Sequence, residues 1–166
     1  MSDGWILHSE VSYRYLIERC LTPMRLAKTI RRSLMRCAFS TLIIDDFRTW
    51  KGIALLVLER HLAKAIRNSS DSPRVGVMLP TSGMTPAAVL ACWRLGRVPV
   101  PLNYLMSPED IEFVIRDADI DVVITVGKML EMTGPMPEGV KTLKLDEMSF
   151  KGIPPMIGVK NIPDDE

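Results

Sequence analysis

The stretch Arg74–Leu102, RVGVMLPTSGMTPAAVLACWRLGRVPVPL, decides the fold. Arg74-Val75-Gly76-Val77-Met78-Leu79 is a continuous apolar run of the kind buried on both faces of a sheet. Pro80-Thr81-Ser82-Gly83 is a turn, and Thr85-Pro86 reads as an N-cap with proline at the first helical position. Ala87 to Leu95 is small and apolar all round, so the expected helix is buried, and Gly96 supplies its stop. Val98-Pro99-Val100-Pro101-Leu102 is a second strand, which its prolines place at an edge or strand end.

The same alternation continues in both directions. Ser107-Pro108-Glu109-Asp110 opens a helix, with a serine cap and an acid three residues on. Ile111, Val114, Ile115 and Ala118 form its inner face. Asp121 to Val126 is a further buried strand, a short helix follows, and Lys141 to Leu145 is a last strand. Upstream, Ser40 to Asp45 is β-prone. Thr49 is the expected N-cap of a largely buried helix from Trp50 to about Arg67, and residues 68–73 form a loop. Strand and helix alternate, which predicts an α/β fold with a mainly parallel sheet and right-handed crossovers.

Residues 11–39 read as helical, with a break near Pro23. Leu26, Ile30, Leu34 and Cys37 recur on one face of the second part, while Arg25, Lys28, Arg32 and Arg36 fall opposite. The first 40 residues carry seven basic and three acidic groups, and the remaining 126 carry 14 and 17. The chain therefore has basic amphipathic helices ahead of a mildly acidic body. Such a basic face is either a solvated side of a packed helix or a contact for an anionic membrane surface. From Lys151 the chain is Gly- and Pro-rich and ends Asp164-Asp165-Glu166, which reads as tail or linker. The expected division is a lead-in over 1–39, an α/β body over 40–150 and a tail over 151–166.

Composition narrows the class. With 166 residues, 47% hydrophobic, 25% charged and a net charge of +1, the chain suits one globular domain. It is not a disordered, collagenous or disulfide-scaffold sequence, and the small net charge argues against nucleic acid as a partner. No basic start with an apolar run marks a secretory signal, and no apolar run approaches the ~18 residues of a spanning helix. Cys20, Cys37 and Cys92 are odd in number and widely spaced, so they read as small buried residues in a reducing compartment. The expected location is the cytoplasm, with the inner face of the membrane as a peripheral site.

Candidate chemistry is sparse. There is no G-x-x-x-x-G-K-[ST] and no G-x-G-x-x-G. Ser82 stands between strand and helix, as a hydrolase nucleophile does, but Pro80 occupies the position where that elbow needs glycine. His8 and His61 are distant in sequence, and His61 reads as a packing residue. Asp45-Asp46 is an adjacent pair, which on a strand points to opposite faces and serves acid–base chemistry poorly. HExxH is absent. The expected catalytic, cofactor-binding and metal residues are therefore none.

FRTWKGIALLVLERHLAKAIR (47–67) followed by RVGV…VITV (74–126) resembles the opening of the adenylate-forming superfamily, the AMP-binding group of acyl-CoA synthetases, acyl-carrier-protein synthetases and luciferases. The ordered features are a Thr-aromatic pair before a helix, a Val-Gly-Val strand ending Leu-Pro and a small-residue helix ending in Gly. A Val-Pro-Leu-Asn segment, a Ser-Pro-Glu helix and a Val-Val-Ile-Thr strand follow. The resemblance implies part of the large N-terminal domain of an enzyme that turns a carboxylate and ATP, with Mg, into an acyl-adenylate and then a thioester. This sequence departs from the family pattern at its heart. The Thr-Ser-Gly-Thr-Thr-Gly…Pro-Lys nucleotide loop is absent, since Thr81-Ser82-Gly83 comes too early and lacks the continuation. The aromatic motif, ribose-binding Asp, hinge and C-terminal lysine are missing too. Three expectations follow: an N-terminal fragment inactive alone, whose partner is the remainder of the synthetase; a non-catalytic membrane-surface or protein-binding module; or an unrelated α/β nucleotide binder, which the absent phosphate motifs disfavour. A half-domain also leaves sheet edge and apolar surface uncovered, so association is expected.

Overall fold

The computed structural model describes residues 23–46, 48–150 and 154–158. Helix α1, Pro23–Arg36, leads into an antiparallel hairpin of β1, Thr41–Ile44, and β2, Thr49–Lys51. Then come α2 (Gly52–Ser69), β3 (Arg74–Val77), α3 (Met84–Arg94) and β4 (Val98–Pro101). They are followed by α4 (Pro108–Asp117), β5 (Val122–Thr125), α5 (Gly127–Thr133) and β6 (Lys141–Lys144). The four later strands form one parallel sheet in the order β4-β3-β5-β6. The fold is therefore α/β with a mainly parallel sheet, and the proline-bearing β4 is an edge as its composition requires.

Alternation along β3 and β5 divides the core. Val75, Val77, Val122 and Ile124 pack with Leu55, Leu62, Ile66 and the small residues of α3 on one face. Met78 and Val123 pack with Leu102, Ile111, Ile115 and Met129 on the other. Full burial of a side chain such as Leu62 or Ile66 stabilises the fold by about 1.5–3 kcal/mol. Gly76 faces the second layer, where a Cβ would stand 2.9 Å from Val123 Cγ2 and 3.0 Å from Leu102 Cδ1. The small residue there lets α4 and its loop approach the sheet.

Ser107 caps α4: its Oγ accepts from Asp110 N at 3.1 Å and donates to Asp110 Oδ2 at 2.9 Å. Gly96, at φ 67°, ends α3 in the left-handed region. Two expected starts move. Thr49 and Trp50 are strand residues rather than the cap and first turn of α2, which begins at Gly52 without a side-chain cap. Pairing with β1 and the fixing of the Trp50 ring by Asp45 override the local cap signal. Helix α3 begins at Met84, not after Thr85, because Thr85 Oγ1 donates back to Pro80 O at 2.8 Å instead of capping.

The lead-in is only partly as expected. Residues 1–22, with His8 and Cys20, lie outside the described residues, as do Phe47 and the side chain of Arg25. In α1, Leu34 is buried but Leu26 is exposed, and Cys37, just after the helix, is exposed too, so Cys37 departs from the buried reading while Cys92 conforms to it. Helix α1 is rolled so that Leu34 and Arg31, rather than Leu26 and Cys37, face the body. The described part of the Pro-rich segment lies on the core through Ile157, which is buried. No described helix is long and apolar enough to cross a membrane.

Candidate functional site

Open α/β sheets usually bind ligands outside the carboxyl ends of their strands, where the order of connections reverses. Here that point lies between β3 and β5, and the protein's own groups occupy it. Gly83 N, in the turn after β3, donates to Asp45 Oδ2 at 3.0 Å. The same carboxylate accepts from Trp50 Nε1 at 2.5 Å and from Arg48 N at 2.9 Å. Trp50 is buried, and the Arg48 guanidinium lies 3.5 Å from its ring centroid. A Cβ on Gly83 would stand 2.5 Å from the indole, so the ring fills the space over the turn. Beyond β5, Gly127 N donates to both oxygens of Asp146, at 3.2 and 3.0 Å.

This arrangement does not fit a phosphate cradle. A nucleotide loop offers free backbone N–H groups to an anion. In Pro80–Gly83 the glycine N–H serves an internal carboxylate, and the Ser82 hydroxyl is buried and accepts from Met84 N at 3.2 Å. No group of three or more His, Cys, Asp or Glu able to hold a metal ion occurs among the described residues. Among the described residues, none is identified as holding ATP or Mg.

The other candidates also go to structure. Ser82 is a turn residue. His61 meets Phe150 edge-on with centroids 6.0 Å apart, and its Nε2 is buried without a hydrogen-bond partner. Asp45 follows β1 in the hairpin turn rather than lying on a strand. It is half-buried beside an exposed Asp46, so the two acids sit in different surroundings. Burial pushes the Cys92 thiol up to about 12, which leaves it protonated and unreactive near neutrality.

The main polar constellation was not foreseen from the sequence. Glu59 is fully buried at the centre of the inward stripe of α2. Arg94 of α3 holds it by two bonds, Nε to Oε1 at 2.9 Å and Nη2 to Oε2 at 3.0 Å, and donates Nη1 to Ile157 O at 2.7 Å. Arg31 of α1 approaches Glu59 Oε1 at 3.6 Å, and its Nη1 is buried without a hydrogen-bond partner. Burial, and then the neighbouring Arg94 charge, hold the Arg31 pKa below its ordinary value. One carboxylate thus ties three helices and the 154–158 segment together. A cleft of about 520 Å³ opens over this group between α1 and α2, with Lys28, Arg32, Arg36 and Arg60 in its wall.

Fold and sequence together define the opening α/β portion of an adenylate-forming domain. Residues 40–160 match the AMP-binding enzyme family, and the chain belongs to it. Among solved structures, it resembles the nonribosomal peptide synthetase FmoA3 in an alpha-methyl-L-serine-AMP bound form. The TM-score is 0.67 at 16% identity over 74% of this chain and 14% of that one. A benzoate CoA ligase from Burkholderia xenovorans LB400 gives 0.62 at 23% identity over 70% and 24%. VinN gives 0.62 at 27% identity over 72% and 31%. The chain therefore spans no more than about a third of the length of these three. No match is found among curated proteins.

Proposed function

We propose that this chain is the N-terminal part of an acyl-adenylating ligase of the fatty acyl-CoA or acyl-ACP synthetase type. The complete enzyme joins a carboxylate to ATP as an acyl-adenylate and passes the acyl group to a thiol. The part alone is inactive, and its partner is the remainder of the synthetase, which carries ATP, Mg and the catalytic groups. One observation carries the reading: the family match covers residues 40–160, yet the sequence lacks the family's nucleotide loop. The wording MLPTSG…PLNYLMS and the basic lead-in resemble the bifunctional 2-acylglycerophosphoethanolamine acyltransferase/acyl-ACP synthetase, which makes a free fatty acid the substrate to test first. The coding sequence downstream of Glu166 tests the reading. A nucleotide loop of the Thr-Ser-Gly-Thr-Thr-Gly type, in frame or in an adjacent gene, is expected, and its absence from both would count against it.

A second reading is a non-catalytic module at the cytoplasmic face of the membrane or on another protein. Its support is the basic face of α1, where Lys28, Arg32 and Arg36 are exposed next to an exposed Met35. Sedimentation with anionic and neutral liposomes tests it, and equal, salt-insensitive behaviour on both would oppose it.

A further inference from the structure

We propose that the cleft between α1 and α2 is a binding site for a phosphate group carried by a ligand. Its wall holds Lys28, Arg31, Arg32, Arg36 and Arg60, with Arg94 behind them and no carboxylate among the described lining residues. The adjoining acid is Glu59, and both its oxygens are engaged by Arg94. Among the described residues, no carboxylate makes an ion pair with Lys28, Arg32, Arg36 or Arg60.

This arrangement costs the free protein stability in two ways. Lys28, Arg32 and Arg36 succeed one another at four-residue spacing on one helix, and each like-charged pair destabilises the helix by about 0.2–0.5 kcal/mol. Arg31 Nη1 is buried at 3.6 Å from a carboxylate already shared with Arg94, and it has no hydrogen-bond partner. An anionic phosphate group relieves both, because guanidinium groups bind phosphate by paired, charge-assisted hydrogen bonds. The cleft volume of about 520 Å³ leaves room for such a group and part of what it is attached to. Met35, 60% exposed, is also in the lining and offers apolar contact to the rest of the ligand.

The ligand's source is either a phospholipid headgroup or a soluble phosphate compound. The acyl-adenylate reading rests on the family match over residues 40–160 and the missing nucleotide loop, not on anion binding at this cleft, so failure of the site leaves it standing. The membrane reading shares Lys28, Arg32 and Arg36, and binding of pyrophosphate without vesicles separates the two.

Two probes are applied to the full chain: inorganic pyrophosphate by calorimetry, and flotation with vesicles of phosphatidylglycerol in phosphatidylcholine or of phosphatidylcholine alone. Binding of pyrophosphate or of the anionic vesicles is expected, weakening with salt. The double variant Arg32→Gln/Arg36→Gln should weaken it about tenfold or more. The control Arg116→Gln/Lys128→Gln, on α4 and α5, removes the same charge and should leave it unchanged. Binding of vesicles alone supports a headgroup ligand, and binding of pyrophosphate alone supports a soluble one. Binding of neither probe, or equal weakening in both double variants, overturns the proposal.

Discussion

Glu59→Gln tests the packing of the three helices most severely. The substitution keeps the shape of the side chain and one acceptor for Arg94 but removes the only negative charge of the cluster. Two guanidiniums, Arg94 at 8% and Arg31 at 12% side-chain exposure, then face each other without a counter-charge. Removing one partner of a buried ion pair costs about 3–5 kcal/mol, against a total of about 5–15 kcal/mol for a typical domain. At about 2–4 °C per kcal/mol for a chain of this size, the midpoint should fall by roughly 6–20 °C. Urea denaturation followed by circular dichroism measures the loss. The companion Arg31→Met/Glu59→Leu/Arg94→Met removes every charge at once. It should recover most of the stability, short of about 1–3 kcal/mol for the Ile157 carbonyl left without its donor. A loss below about 1 kcal/mol in Glu59→Gln would refute the argument that this carboxylate neutralises buried cations. A triple variant no better than the single one would refute the attribution to charge.

Gly83→Ala should destabilise by about 1–3 kcal/mol, because the added carbon meets the Trp50 indole at 2.5 Å; chemical denaturation reads the loss, and a tryptophan emission change should accompany it. Asp45→Ala should cost about 1–3 kcal/mol by leaving the buried Trp50 N–H and the Gly83 N–H unsatisfied, again read by denaturation. In a Cys20→Ala background, native protein at neutral pH should yield one thiol to a disulfide reagent, the exposed Cys37, while Cys92 reacts only on unfolding. The Cys92 thiol, raised to about 12 in the fold, is protonated in both states below the unfolded value near 9. Its stabilising contribution is complete there and is lost as pH rises from about 9 through 12, so Cys92→Ala should flatten the alkaline limb of stability against pH.

Much of the fold was legible because its signals are local. The Val75–Leu79 run, the serine cap at Ser107 and the small-residue helix ending at Gly96 each specify their element without help from distant residues. Thr49 and Thr85 misled for the opposite reason. Each has the chemistry of a cap, but one is held in a hairpin through Trp50 and Asp45, and the other bonds back to Pro80. The buried ion cluster had a partial signal. Glu59 sits on the stripe Gly52, Leu55, Leu56, Leu62, Ala63 and Ile66, where a lone acid among inward-facing residues requires a partner. Which cation answers it depends on how α1 and α3 pack, and spacing along the chain does not encode that. The turn after β3 shows the same limit: Thr81-Ser82-Gly83 resembles the start of a phosphate loop in composition, while Asp45, 38 residues away from Gly83, decides that the glycine N–H is taken.

Carboxylate-dependent exchange of pyrophosphate into ATP by the purified 166-residue chain tests the central claim most directly, with medium- and long-chain fatty acids as substrates. The chain should show no exchange above a blank without protein, and exchange should appear when the chain is joined to the remainder of the synthetase, with its nucleotide loop and catalytic groups. Acid-dependent exchange by the chain alone would contradict the account, because it would place the acyl-adenylate chemistry within residues 1–166.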